Sequence, residues 1–182
     1  MKKRLIPILV IFAAIIQSCS GPAGRDGIDG KDGLNIVAQT FEVQKVNFTA
    51  ANKYEYVQTF SSAKILDVHE SDAVLIYILY DLTSAGKPIW RLLPQAIDVT
   101  RGVFMNFDYT PTDFSAFIDA PTDALKATAG TDWTQNQTLR VVVIPSDFTA
   151  RKDAEVVDYK DYDSVKAYYN LDENKIAPVK AQ

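Results

Sequence analysis

The sequence predicts an all-β fold, an antiparallel β-sandwich of about seven to nine strands with one or two short helices. Apolar and polar residues alternate with period two in several segments, as in strands that have one wet face. Other segments are continuously apolar, and closely spaced turn signals leave little room for parallel βαβ crossovers. A single domain over residues 36–182 accounts for all of these segments.

The first predicted strand carries a change of phase. Phe41 and Val43 occupy odd positions, whereas Val46 and Phe48 occupy even positions. One extra residue near residues 44–45 explains the change, because side chains alternate strictly between the two faces of a strand. We therefore expect a β-bulge there, which bends the strand or lets it switch sheets.

The later strands follow from the same reasoning. Segments 54–60 and 103–109 alternate, so each is predicted to turn one face to the core and one to water. Segments 73–80 and 139–144 are continuously apolar, as expected for central strands covered on both sides. The turn-forming segment 83–88 joins 73–80 to another strand and predicts an antiparallel hairpin.

Two short helices are predicted outside the sheets. The pair Asp163-Ser164 is suited to cap a helix whose residues 165–169 present an apolar side, and Asn170 is suited to its end. Residues 123–127 are predicted to form one or two helical turns. Both helices are expected to be accessories to the sheets.

Residues 1–18 have the layout of a secretory signal peptide. Lys2, Lys3 and Arg4 form a basic start, and residues 5–16 form an apolar run interrupted only by Pro7. This run is too short to cross a bilayer as a helix, which needs about 20 apolar residues. We therefore expect residues 1–18 to be removed on export.

The segment Ile16-Gln17-Ser18-Cys19 resembles the bacterial lipobox, in which an aliphatic and a small residue precede a cysteine. The resemblance implies a lipoprotein that is cut before Cys19 and carries diacylglyceryl and acyl chains, such as palmitate, on that residue. Two or more chains, at about 0.8 kcal/mol per buried methylene, form a stable membrane anchor. Ser20 follows where an aspartate would favour the inner membrane, so we expect the outer membrane and leave open which side the domain faces.

Glycine recurs with a period of three in residues 19–35. The positions are Gly21, Gly24, Gly27, Gly30 and Gly33. This spacing is collagen-like, because only glycine fits at the axis of a triple helix, but four complete triplets with one proline are a short run for stable trimerisation. We interpret residues 19–35 as an extended tether, with a weak trimeric stalk as the alternative.

Lipobox, glycine triplets and an aromatic β domain together resemble small collagen-like-repeat lipoproteins of Bacteroidota. The resemblance is strongest over residues 1–33, and the stretch 41–49 is similar as well. It implies a location in the cell envelope, and it carries over no catalytic residue.

Composition and charge restrict the classes of partner. The chain is 47% hydrophobic and 23% charged, as is typical of a globular domain. Loss of residues 1–18 removes three of the 19 basic residues and no acid, so 16 basic against 23 acidic residues give a formal charge of −7. This charge argues against binding to nucleic acid. Cys19 is the single cysteine, so no internal disulfide is expected.

No pattern typical of an enzyme occurs in the sequence. His69 is the only histidine, and we interpret the acidic segment around it, 67–72, as a polar loop before a core strand rather than as an acid–base cluster. Gly-x-Ser-x-Gly, His-Glu-x-x-His and phosphate-binding glycine loops do not occur. We therefore expect neither enzymatic activity nor a cofactor.

The motif Pro-Thr/Ser-Asp occurs three times, with Asp113, Asp123 and Asp147 as its acids. A turn at the end of a strand explains it, since proline ends the strand and the polar oxygens accept bonds from nearby amides. If the loops converged, these acids and Asp119 could bind calcium, a weak alternative. Two loop aspartates within about 10 Å could also serve a carboxylate-dependent hydrolase.

Trp133 is the best sequence candidate for a ligand contact, because it lies in the polar segment 130–136, predicted as an exposed loop, whereas Trp90 is assigned to the core. The leading hypothesis is a non-enzymatic, membrane-anchored envelope or surface module that binds an envelope protein or glycan. A carbohydrate-binding lipoprotein is the first alternative, and a carboxylate-dependent hydrolase is the second.

Overall fold

The computed structural model describes residues 38–65, 68–146, 157–176 and 178–181. Across these ranges, nine strands form two sheets, which confirms the predicted β-sandwich. The strands are β1 (Gln39–Val46), β2 (Glu55–Thr59), β3 (Ala73–Leu82), β4 (Pro88–Leu92), β5 (Gln95–Asp98), β6 (Val103–Tyr109), β7 (Asp113–Asp119), β8 (Gln137–Ile144) and β9 (Pro178–Lys180). The signal peptide, Cys19 and the glycine triplets lie outside the described residues.

The five-stranded sheet has the order β4-β3-β8-β1-β9, and the four-stranded sheet has the order β2-β7-β6-β5. Neighbouring strands run antiparallel, as predicted, except that β9 lies parallel to β1 at the sheet edge. Strands β3 and β4 form the predicted hairpin, and β3 and β8 lie side by side in the sheet.

Three short helices accompany the sheets in the described ranges, one more than predicted. They are α1 (Asp123–Lys126), α2 (Thr131–Thr134) and α3 (Tyr162–Tyr168), and short 3-10 turns cover Ala50–Asn52, Ser61–Ala63, Ala127–Ala129 and Glu173–Lys175. The predicted cap of α3 is wrong by two residues, because the Asp161 side chain accepts from the Asp163 amide. Asn170 follows α3 at φ 51°, a left-handed conformation that ends helices.

The inner faces of the two sheets share one apolar core. Its aromatic centre joins Phe41 of β1 to Phe114 of β7, with ring centroids 6.0 Å apart, and Tyr56 and Phe60 pack against the same Phe114 ring. Val103 and Met105 of β6 are fully buried in this core, whereas Asp108 on the same strand is exposed. The alternation predicted from the sequence therefore sets which face of the strand is dry.

A second apolar layer covers the outer face of the five-stranded sheet. Helix α3 places Tyr162 and Val165 over Tyr77 of β3 and Val142 of β8. The Tyr77 and Tyr162 rings meet edge to face at 5.3 Å. The two continuously apolar strands are thus covered on both sides, as the sequence predicts.

The predicted bulge in β1 is confirmed. Val43 pairs with Leu139 and Val46 with Gln137, so β1 contains one more residue than β8 over this stretch. Lys45 adopts φ 63° at the bulge, and both valines are fully buried. The strand remains in one sheet, and the extra residue returns Val46 to the inner face.

Lys45→Gly should keep the fold and leave the free energy of unfolding within about 1 kcal/mol of the parent, because glycine adopts positive φ without steric cost. Deletion of Lys45 should destroy cooperative unfolding, because Val46 and Phe48 would turn to the opposite face. Thermal unfolding followed by circular dichroism compares the two variants. A deletion variant as stable as the parent would contradict the bulge.

The buried Arg140 side chain fastens the C-terminal segment to the sheet. Arg140 projects from β8 into the outer layer and is 6% exposed. Its Nε donates to Glu42 at 3.0 Å and its Nη1 donates to Glu173 at 2.8 Å. The guanidinium lies 4.1 Å from the Trp90 ring centroid and 4.5 Å from that of Tyr162. One buried cation therefore links β1, β4, α3 and the turn after α3.

Arg140→Ala should lower the free energy of unfolding by about 3–5 kcal/mol, because it leaves buried acceptors without their cation. Arg101→Ala is the matched control, since the Arg101 side chain is 57% exposed and pairs with Asp98 on the surface at 3.6 Å. This control should cost at most about 1 kcal/mol. Urea denaturation measures both values, and equal effects would show that the Arg140 cluster contributes no more than a surface ion pair.

Candidate functional site

Trp133, the candidate from sequence, lies in the one-turn helix α2 rather than in an exposed loop. Its side chain is half-buried against the inner core. The ring centroid of Trp133 lies 6.0 Å from that of Tyr80, with the planes tilted by 57°. Tyr80 is 45% exposed, so the two rings form one aromatic wall that is open to solvent.

A second bulge, in β3, places Asp81 on the same side of the sheet as Tyr80. Leu79 pairs with Trp90 and Asp81 pairs with Ile89, so Tyr80 has no residue opposite it on β4. A bulge of this kind lets two consecutive side chains lie on the same side of a sheet. Tyr80 and Asp81 both line the same groove for this reason.

The groove, called here the Tyr80–Trp133 groove, has a volume of about 330 Å³. It is lined by Ile78, Leu79, Tyr80, Asp81, Asp132, Trp133 and Gln137. The Gln137 amide donates to the backbone oxygens of Asp132 at 3.0 Å and of Gln135 at 2.7 Å, which ties helix α2 to the start of β8. The aromatic wall is thus held between two elements rather than on a free loop.

Two carboxylates and one guanidinium set the charge of this groove. Asp81 and Asp132 are exposed, and the Asp81 carboxylate also accepts from the Leu82 amide at 2.7 Å. Arg91 places its guanidinium carbon 3.3 Å from the Tyr80 ring centroid. One face of Tyr80 is therefore already occupied by a cation.

A larger groove, of about 570 Å³, lies between the β3–β4 hairpin and helix α3. Trp90 and Tyr162 line it, but the Trp90 Nε1 and Tyr162 hydroxyl are buried and have no hydrogen-bond partner in the described part of the chain. Burial raises the pKa of the Tyr162 hydroxyl to about 12, against the opposing effect of the Arg140 charge. Trp90 and Tyr162 both pack around the Arg140 guanidinium, so this groove belongs to the outer apolar layer. Trp90, which the sequence assigns to the core, is half-buried against that layer.

Glu173 completes the rim of this larger groove through ion pairs. Its carboxylate contacts Lys166 Nζ at 2.5 Å and Arg140 Nη1 at 2.8 Å. Lys166, followed by Arg140, lowers the pKa of Glu173 from its ordinary value. One Glu173 oxygen therefore binds β8 and the other binds α3, and together they connect these two elements to the turn at Glu173–Lys175.

Of the calcium and hydrolase candidates, Asp113 lies apart from Asp119 and Asp123. Asp113 begins β7 and Asp119 ends it, which separates them by roughly 20 Å. Pro121 lies near Gly102 at the Asp119 end, so Asp123 stays at that end as well, and Asp147 lies outside the described residues. Within the described ranges, no three His, Cys, Asp or Glu side chains form a group able to hold a metal ion.

The turn function proposed for the Pro-Thr/Ser-Asp motif is visible at its first copy. The Thr110 hydroxyl donates to the Asp113 carboxylate at 2.6 Å, and the Asp113 amide donates back to that hydroxyl at 3.3 Å. These bonds close the turn between β6 and β7. At the second copy Asp123 begins α1 and pairs with Lys126 at 3.0 Å.

His69 lies in the polar loop before β3, as the sequence predicts, and its side chain is exposed. The nearby Asp72 is buried and accepts from the backbone amides of His69 and Ser146, each at 3.0 Å. Asp72 therefore joins the start of β3 to the end of β8. The carboxylate next to the histidine has a structural role in these bonds.

Comparison with protein-family models, with curated proteins and with solved structures finds no match to this chain. Among the described residues, no helix is long and apolar enough to cross a bilayer. Function is therefore inferred from the geometry of the site.

Sequence reasoning found Trp133 but missed Tyr80, Asp81 and Arg91. Tyr80 ends a continuously apolar run, where no change of phase reveals an extra residue. Arg91 belongs to a strand predicted from the sequence, but its contact with Tyr80 depends on the pairing of β3 with β4. The one sequence signal for the site was an aromatic residue among turn-forming polar residues.

Proposed function

We propose that this chain is a lipid-anchored, non-enzymatic binding module of the bacterial cell envelope, and that the Tyr80–Trp133 groove is its ligand contact. The observation that carries the proposal is the groove itself. An aromatic wall, two exposed carboxylates and a fixed amide converge on one open cavity at the end of the β3–β4 hairpin. Apolar surface with a few convergent polar groups is typical of binding sites.

The charged and polar clusters elsewhere in the described ranges have structural roles. Arg140 and Glu173 fasten the outer layer, Asp72 joins two strands, and Asp113 closes a turn. Their partners within the domain are opposite charges, backbone amides or, for Asp113, the Thr110 hydroxyl. These observations support a binding module more than a catalytic one.

The sequence before residue 36 supports the anchored location. A signal peptide followed by the lipobox cysteine Cys19 would fasten the protein to a membrane, in line with the outer-membrane prediction. The tether of residues 19–35 would then span at most roughly 60 Å at full extension. It would hold the groove near the membrane surface, with the local concentration fixed by the anchor.

Crosslinking in intact cells tests this proposal. p-Benzoylphenylalanine in place of Tyr80 should form, on illumination, one covalent adduct with an envelope component in the membrane fraction. The same amino acid in place of Tyr109, which is 40% exposed on the other sheet, is the matched control and should form none. Cys19→Ala should shift the protein from the membrane to the soluble fraction and abolish labelling by a palmitate analogue.

Each part of this experiment has a contradicting result. Equal adducts from positions 80 and 109, or none from position 80, would remove the groove as the ligand contact. A Cys19→Ala protein that remained equally membrane-bound would remove the lipid anchor.

A further inference from the structure

We infer that the ligand of the Tyr80–Trp133 groove is an uncharged glycan, held by one pyranose ring against the aromatic wall. This inference rests on the proposed function and names the ligand class of the same site. It follows from the charge of the groove, its aromatic geometry and its size.

Anions do not fit this groove. Both exposed charges on its lining, Asp81 and Asp132, are carboxylates. The chain after residue 18 carries a formal charge of −7, from 16 basic and 23 acidic residues. An anionic sugar such as a uronate would approach two carboxylates, whose negative charge the single Arg91 guanidinium over Tyr80 offsets only in part.

The aromatic wall is also unfavourable for binding a cation. Aromatic rings bind ammonium groups through their faces, but the Arg91 guanidinium already lies over Tyr80 at 3.3 Å. A second cation on this ring would be repelled by Arg91.

An uncharged pyranose ring fits both the exposed aromatic surface and the carboxylate acceptors of this groove. Its apolar C–H face can lie on the exposed part of the Tyr80 and Trp133 wall, which buries apolar surface without a charge. Its hydroxyl edge can donate to the Asp81 and Asp132 carboxylates, which accept hydrogen bonds strongly. The cavity of about 330 Å³ lies at the small end of the range for ligand sites and suits one ring rather than a long chain.

Fluorescence polarisation with the mature lipidated protein in detergent micelles tests the inference. The labelled probes are three neutral hexasaccharides (cellohexaose, mannohexaose and N-acetylchitohexaose), cationic chitohexaose, anionic hexagalacturonate and a hexalysine peptide. At least one neutral probe should bind about tenfold or more tightly than every charged probe. N-acetylchitohexaose and chitohexaose form a matched pair that differs in the acetyl groups and charge.

Variants locate the binding. Tyr80→Ala should weaken the binding of that neutral probe by about tenfold. Tyr80→Phe, which keeps the aromatic ring, should bind the probe about as tightly as the parent protein does. Asp132→Asn should weaken it, and Asp119→Asn, a change at another exposed aspartate at the end of β7, should not. In a Trp90→Phe protein, Trp133 is the remaining tryptophan, so its emission should shift when the probe binds.

Three results would overturn the inference: no neutral probe binds, a charged probe binds as tightly as the best neutral one, or Tyr80→Ala changes nothing. Binding of hexalysine alone would assign the groove to a basic peptide instead. A crosslinked adduct from position 80 in cells, without binding of any glycan probe, would support the proposed binding module and contradict only the assignment of a glycan as its ligand. Loss of both would remove the proposed function as well.

Discussion

Side chains along a β-strand alternate between faces with a period of two, and one extra residue reverses the alternation beyond it. This constraint sets both the core and the candidate site of the present fold. The bulge at Lys45 returns Val46 to the inner core, so β1 serves one sheet along its whole length. The bulge at Tyr80 has a different effect, since it places Asp81 on the same side of the sheet as Tyr80, where both line the open groove. One bulge thus completes the core, and the other shapes the groove proposed as the ligand contact.

The two bulges also show how far the sequence predicts this molecule. Around Lys45 the apolar residues change from odd to even positions, so the extra residue is visible in the sequence. Tyr80 ends the continuously apolar run of β3, and a run without alternation carries no phase that could change. The sandwich, its central strands and the β3–β4 hairpin were predictable because their signals are local. The partners of Arg140 were not, because Glu42 and Glu173 come from distant parts of the chain.

Within the described residues, the stabilising Arg140 cluster and the proposed ligand contact are separate from each other. The charged groups of the outer layer pair with one another, since Arg140 lies between Trp90 and Tyr162 and binds two carboxylates there. Such a cluster orders α3 over the sheet and leaves few groups for an external partner. On the other side of the hairpin, Tyr80 is exposed and the carboxylates of Asp81 and Asp132 face solvent. An exposed aromatic ring beside two carboxylates suits a protein that is proposed to be held by a short tether and to bind a component near the membrane.

The extra residue at Tyr80 is tested most directly by nuclear Overhauser contacts across the β3–β4 hairpin. The bulge predicts backbone contacts of Leu79 with Trp90 and of Asp81 with Ile89, no residue opposite Tyr80, and contacts between the Tyr80 ring and the Trp133 indole. Regular pairing that places Tyr80 directly opposite Ile89 and Asp81 opposite Pro88 would contradict the bulge, and it would turn Asp81 away from the groove.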